Sequence, residues 1–126
     1  MNPRPLAALA LLALALPAAA QKLGTLDFPT SATGAAQSHF ATGVLYLHSF
    51  EYPSALKEFR EAERIDPAFA MAYWGEAMTY THPVWDQQDA DAARTALAKL
   101  APADAARLAK APTDREKGYL RAVDIL

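Results

Sequence analysis

The sequence contains no cysteine among its 126 residues. This absence excludes disulfide bonds, a thiol nucleophile and thiolate metal sites, so an apolar core alone must hold the fold together. No charge of one sign dominates, since 12 Lys and Arg face 14 Asp and Glu. The sequence therefore has no basic patch of the kind that nucleic acids or anionic membrane surfaces attract. His-x-x-x-His and phosphate-loop motifs are also absent.

The first residues have the order of an export signal. Arg4 gives a short polar start its one cation, and residues 6–16 are an unbroken run of Leu and Ala. Such a run matches the apolar region of a signal peptide and is too short to span a bilayer. Because Pro17 and three alanines follow, we predict a signal peptide at 1–20, cleavage after Ala20, and a periplasmic or secreted protein. The alternative is a buried N-terminal helix of a cytosolic protein.

The remaining chain has helical periodicity. From Ala35 onward apolar residues recur at helical spacing, and strand-like alternation is rare. We therefore predict an all-α domain at 35–126 with no sheet, preceded by an extended leader at 21–34, in which Pro29 and Gly34 favour turns. The predicted helices span residues 35–49, 53–65, 68–81, 87–100, 104–110 and 114–126.

Helix caps and breakers support these bounds. Pro53 suits a first helical turn, and Asp66 followed by proline ends the same helix. Thr113 and Glu116 have the spacing of a capping box, in which Glu116 reaches back to the start of the last helix. We interpret the charges of the second helix as a solvated face, opposite one apolar stripe. They are Lys57, Glu58, Arg60, Glu61, Glu63 and Arg64.

A shift of 34 residues aligns the sequence with itself. The aligned pairs are Ala36 with Ala70, Phe40 with Trp74, Gly43 with Ala77, Val44 with Met78, Tyr46 with Tyr80, and His48 with His82. Small residues align with small and aromatic with aromatic. A period near 34 with two helices per unit is typical of the tetratricopeptide repeat.

The first unit resembles the tetratricopeptide family at six positions, which are Gly43, Tyr46, Ala55, Phe59, Ala62 and Pro67. His39 and Thr42 stand where such repeats usually begin with Trp and Leu. The resemblance implies an α-α superhelix of tetratricopeptide type, with about two repeats plus a trailing helix pair. Segments 47–50, 70–75 and 82–85 also resemble a branch of exported bacterial repeat proteins. Because members of that branch are longer, we expect this chain to be an N-terminal portion.

The resemblance also implies a concave groove, formed by the first helix of each repeat. It places there Gln37, Phe40, Val44, Leu47 and His48, and from the second unit Met71, Trp74, Met78, Thr81 and His82. Aromatic and methionine side chains in a groove suit the capture of a peptide. We therefore expect a protein- or peptide-binding module with no catalytic activity and no cofactor. The alternatives are that further repeats or the leader cover these residues, or that the activity lies beyond Leu126.

His48 and His82 suggest a second function. If both lie at equivalent positions on neighbouring helices, their imidazoles could share a metal ion or an anionic ligand, with Glu51 and Asp86 completing the site. The competing interpretation is that each histidine caps carbonyl groups at a helix end. Hydrolytic chemistry has no support, because no nucleophile elbow surrounds the serines near these histidines.

Overall fold

The computed structural model describes residues 22–125, so the predicted signal peptide lies outside the described residues. Six helices follow one another there: α1 (Gly34–His48), α2 (Tyr52–Ile65), α3 (Ala70–Met78), α4 (Ala90–Leu100), α5 (Asp104–Lys110) and α6 (Asp114–Val123). The predicted all-α fold is confirmed. Within the described range, no helix has the length and hydrophobicity needed to cross a bilayer.

The helices pack in succession and form a row. α1 packs against α2, α2 against α3, and α3 against α4. In addition, α3 contacts both α1 and α6. The helices α1, α3 and α6 are therefore neighbours, with α3 in the middle. This superhelical arrangement of packed helices is the one that the sequence predicts.

The ring of Phe59 on α2 joins three helices. Phe59 is fully buried, and its ring centroid lies 5.8 Å from that of Phe40 on α1. A Cβ atom added at Gly43 would lie 2.8 Å from Cε1 of Phe59, and one added at Gly75 on α3 would overlap the ring. Two glycines therefore make room for one aromatic side chain where α1, α2 and α3 meet.

A short hairpin between α3 and α4 corrects the prediction that no sheet forms. β1 (Thr81–His82) pairs antiparallel with β2 (Gln87–Gln88), around a single 3-10 turn at Pro83–Trp85. The predicted third and fourth helices are too long at this junction. Asp89 caps α4 by accepting a hydrogen bond of 2.9 Å from the Ala92 amide, so this helix begins at Ala90 and leaves the preceding residues to the hairpin.

One charge of α2 is buried, which corrects the prediction of a fully solvated face. Glu63 is 8% exposed and lies among side chains from α3 and α4. Nζ of Lys99 is 2.7 Å from Oε2 of Glu63 and also contacts Glu76, while Nε of Arg60 is 3.0 Å from Oε1 of Glu76. The prediction is wrong for Glu63 because its partners lie on other helices, far along the sequence.

The pKa values of the two buried carboxyl groups in this cluster are shifted in opposite directions. Burial raises the pKa of the Glu63 carboxyl to about 8, and the neighbouring Glu76 adds to the rise. Burial also acts to raise the pKa of Glu76, but hydrogen bonds with Glu63, Lys99 and Arg60 outweigh it and lower that pKa. Burial therefore favours the neutral form of Glu63, whereas the bonds from Lys99 and Arg60 favour the charged form of Glu76.

Candidate functional site

The leader lies across the row formed by α1, α3 and α6. The ring of Phe28 is 5.2 Å from that of Phe40 on α1, 6.3 Å from that of Trp74 on α3, and 5.4 Å from that of Tyr119 on α6. Because one side chain of the leader contacts all three helices, this part of the groove is filled by the chain itself.

Side chains of α1 and α6 hold the backbone of the leader. Nε2 of Gln37 donates a 2.8 Å hydrogen bond to the carbonyl of Phe28. Nη1 of Arg115 donates a 2.6 Å hydrogen bond to the carbonyl of Pro29, and its guanidinium lies 4.5 Å from the ring centroid of Phe28. The groove therefore holds an extended segment by its aromatic side chain and by its main-chain carbonyls.

The carboxylate of Glu116 fixes the last turn of the leader. Its Oε1 accepts hydrogen bonds from the amide and the hydroxyl of Ser31, at 2.9 and 2.8 Å. Burial acts to raise the pKa of Glu116, but the hydrogen bonds from Ser31 and Thr113 outweigh it and lower that pKa. The predicted capping box is formed only in part. Oγ1 of Thr113 accepts a hydrogen bond from the Glu116 amide at 3.2 Å, as the motif requires. The Glu116 carboxylate instead accepts hydrogen bonds from Ser31 and from the Thr113 hydroxyl.

Nine of the ten predicted groove residues fall into two groups, and the tenth, His82, lies in β1. The first group belongs to the core or to the leader contacts. Phe40, Val44, Met71 and Trp74 are buried, and Gln37 binds the leader. Gln37, Phe40 and Trp74 contact Phe28, as in the alternative in which the leader covers them. Val44 and Met71 lie in the core instead.

The second group borders an apolar cavity of about 390 Å³. Among the predicted groove residues, Leu47, His48, Met78 and Thr81 line it together with the buried Trp74. Its other lining residues are Phe28, Phe50, Tyr52, Pro83 and Tyr119. We call this space the apolar cavity. Phe28 of the leader also lines it, so this cavity is the part of the predicted groove that adjoins the leader contacts and stays open.

Exposed apolar side chains lie on one side of this cavity. Phe50 and Trp85 are each 52% exposed and Val84 is 65% exposed. The ring centroids of Phe50 and Trp85 are 5.5 Å apart in an edge-to-face arrangement, and that of Tyr52 is 6.1 Å from Trp85. We call Phe50, Tyr52, Val84 and Trp85 the aromatic patch. Contiguous exposed apolar surface of this kind is typical of a binding site.

Two residues in or next to the aromatic patch have a left-handed backbone conformation. Phe50 has φ +61° and Asp86, next to Trp85, has φ +51°. A bulky residue rarely adopts positive φ, and the conformation persists only where its surroundings hold it. Here the Phe50 amide donates to the Leu47 carbonyl at 3.2 Å and the Asp86 amide to the Pro83 carbonyl at 3.3 Å.

A second cavity, of about 520 Å³, lies on the hairpin side of Tyr52. Its walls include Tyr80, His82 and Asp89, and Tyr52 lines both cavities. We call it the hairpin cavity. Asp89 is the charged residue that lines it, and no Lys or Arg does so within the described range.

The two histidines are placed differently from each other, which corrects their predicted equivalence. His48 is the last residue of α1, whereas His82 lies in β1, because α3 ends at Met78. Nδ1 of His48 is 2.9 Å from the Val44 carbonyl and Nε2 of His82 is 2.8 Å from the Thr79 carbonyl. Since a carbonyl only accepts, each of these nitrogens carries the proton, as the carbonyl-capping interpretation requires.

No group of three or more metal-ligating residues converges among the residues that the structure describes. The set of His48, His82, Glu51 and Asp86 therefore does not assemble there as the alternative requires. Instead, the ring of His82 stacks on that of Tyr52, with centroids 3.7 Å apart.

Sequence reasoning did not identify Phe28, Phe50, Tyr52, Trp85 or Tyr119 as site residues. Phe28 had a signal, since an aromatic residue beside proline in a turn-rich leader needs a surface on which to pack. Trp85 had one too, since it falls between two helices, where no helical stripe buries it. Phe50, Tyr52 and Tyr119 become site residues only through contacts between distant segments.

Comparisons of the chain with protein-family models, with curated proteins and with solved structures gave no match. What this chain does is therefore inferred from its own residues.

Proposed function

We propose that this chain is an exported repeat protein of tetratricopeptide type that binds a protein or peptide, without catalysis. The binding site is the open part of the groove, which consists of the apolar cavity and the aromatic patch. The observation that carries the proposal is an apolar cavity of about 390 Å³ that is lined by the half-exposed Phe50, whose ring contacts the half-exposed Trp85. Large aromatic side chains dominate the energetics of protein interfaces.

The repeat assignment is supported by the burial of residues related by the 34-residue shift. Ala36 and Ala70 are both buried, as are Phe40 and Trp74, whose rings lie 6.3 Å apart. Helices α1 and α3 thus present equivalent residues to one core. A third helix, α6, packs beside α3 and extends the row.

The leader supports a peptide as the ligand class. Its extended backbone is held through the carbonyls of Phe28 and Pro29, and its aromatic side chain is seated among three helices. The surface that continues from this segment offers the same kinds of side chain. An extended peptide can therefore bind next to the leader in the way that the leader itself is bound.

Selection from a random peptide library displayed on phage tests this proposal. The bait is the protein purified from the exported fraction of cells that express the full chain, and N-terminal sequencing of that material tests cleavage after Ala20. We expect peptides that bind with micromolar Kd and lose at least about tenfold in affinity, or about 1.4 kcal/mol, for Leu47→Glu.

The matched control is Thr95→Glu, which adds the same charge at an exposed position of α4. Circular dichroism checks that both variants keep their helices. Equal affinity of the wild type and both variants, or enrichment of no peptide, would contradict the proposal.

A further inference from the structure

Acids outnumber bases around the aromatic patch and the hairpin, where the basic neighbours include Arg60, which donates to the Tyr80 hydroxyl at 3.1 Å, and Arg94, which lies 3.4 Å from Asp91. The patch and the hairpin are built from residues 48–56 and 79–91, which contain Glu51, Asp86, Asp89 and Asp91 but no Lys or Arg. The chain as a whole has 12 basic residues, so their absence from these two segments is a local feature. An acidic border of this kind favours a cationic ligand and repels an anionic one.

The two ends of the apolar cavity differ in whether a basic side chain lies over their aromatic rings. At the leader end, the guanidinium of Arg115 lies 4.5 Å from the ring centroid of Phe28 and 5.6 Å from that of Tyr119, and both rings line the cavity. At the other end, no Lys or Arg lies over the rings of Phe50, Tyr52 or Trp85 within the part of the chain that the structure describes. Aromatic faces attract cations, most strongly that of Trp.

The two cavities give this end room for two neighbouring side chains of a ligand. The apolar cavity, next to Leu47 and Met78, is lined by neutral residues. The hairpin cavity has the carboxylate of Asp89 in its wall. Tyr52 borders both cavities, and on the hairpin side the ring of His82 stacks on it at 3.7 Å.

From these observations we infer that the site recognises a peptide in which an aliphatic or aromatic residue stands beside Lys or Arg. The apolar side chain enters the apolar cavity, and the cation enters the hairpin cavity, past the stacked rings of Tyr52 and His82 and towards Asp89; Glu51, next to Tyr52 in the chain, adds negative charge to the same region. This inference rests on the proposed function and names the chemistry of its ligand.

A second copy of the chain fits this surface poorly. A two-fold symmetric contact through the aromatic patch would bring the four acids of one copy close to the four acids of the other. Like charges brought together at an interface oppose association. A basic peptide instead neutralises these acids.

The test uses three synthetic dodecapeptides with the exported protein. The first contains an Arg-Leu-Arg-Phe core, the second replaces both arginines by citrulline, which has the same shape without the charge, and the third replaces them by glutamate. Binding is measured by fluorescence anisotropy of a dye on the peptide. We expect the citrulline peptide to bind at least tenfold more weakly, and the glutamate peptide not to bind.

Variants of the protein test the acids directly. Glu51→Gln and Asp89→Asn should each weaken the arginine peptide about three- to tenfold and leave the citrulline peptide unaffected, because only the charge changes. Asn caps a helix as well as Asp, so Asp89→Asn keeps the start of α4. Asp114→Asn, at a fully exposed position of α6, is the control and should change neither affinity.

The outcomes separate this inference from the proposed function. If the arginine and citrulline peptides bind equally, or phage selection returns apolar peptides without cations, the cation site is overturned and peptide binding stands. If neither selection nor these peptides give binding, both fail. If the protein instead dimerises in sedimentation experiments, and Trp85→Glu abolishes the dimer, the surface is an interface between copies and the inference is overturned.

Discussion

The filled and the open part of the groove are built from similar residues and differ in what covers them. In the filled part, Phe28 of the leader packs on Trp74 and Tyr119, and Arg115 lies over its ring. In the open part, Phe50 and Trp85 meet edge to face and remain half exposed. Within residues 22–125, the leader therefore occupies one part and leaves the other exposed.

This difference separates stability from binding. Side chains of the filled part are buried on folding, so removing them should lower the free energy of unfolding. Side chains of the open part are exposed in the described structure, so removing them should change affinity for a ligand and leave stability nearly unchanged. Four predictions follow, in order of decreasing effect on stability.

Phe28→Ala should have the largest effect. It removes the ring that joins α1, α3 and α6, and a half-buried aromatic truncation of this kind costs about 2 kcal/mol. Thermal melts followed by circular dichroism should show a Tm lower by roughly 10 °C. The control is Leu26→Ala in the same leader, which is 37% exposed and should shift the Tm by far less. Equal shifts in the two variants would mean that the leader does not anchor the groove.

Glu116→Gln should cost about 1.5 kcal/mol at pH 7, because it weakens charge-assisted hydrogen bonds to Ser31. The pKa of Glu116 is lowered on folding, so its stabilisation is present above its ordinary value of 4.5 and is lost as pH falls through the folded pKa. Denaturant titrations should therefore show the difference between wild type and variant shrinking towards acidic pH. A difference that stays constant with pH would refute this account.

The change in stability on replacing Phe50 should depend on whether the new residue tolerates its positive φ angle. Phe50→Ala keeps the cost of positive φ, whereas Phe50→Gly relieves it, so the Gly variant should be the more stable of the two by about 1 kcal/mol. Chemical denaturation of both variants measures this difference directly. The same pair at Phe28, which has no positive φ, should show no advantage for Gly.

Trp85→Ala should have the smallest effect on stability, below about 0.5 kcal/mol, because the side chain is half exposed. Its effect on binding should be much larger, with at least a tenfold loss of affinity for the arginine peptide. Stability comes from urea titration and affinity from anisotropy. A large loss of stability here would make the aromatic patch part of the core and remove the contrast with the filled part.

The helices could be predicted because their signals are local. Pro53, Pro67 and Asp104 mark helix ends within a few residues, and α2 and α5 lie at or within one residue of their predicted bounds. The hairpin was missed because it depends on a left-handed Asp86 and on the cap at Asp89.

The site could be predicted only in part, because its geometry depends on contacts between distant residues. Leu47 and Met78 were identified from the repeat and do line the apolar cavity. Ser31 and Glu116 are 85 residues apart, so no local pattern shows that the leader fills half of the groove. The burial of Glu63 depends in the same way on Lys99, which follows 36 residues later.

The contact of Phe59 with Gly43 and Gly75 also restricts the order in which substitutions at these positions can be accepted during evolution. An alanine at position 75 meets the ring directly, so it becomes tolerable only after Phe59 has been replaced by a smaller residue such as leucine. The reverse order passes through an intermediate with a steric clash among three helices. Substitutions at these three positions should therefore be epistatic, and in related sequences small residues at 59 should accompany alanine at 43 or 75.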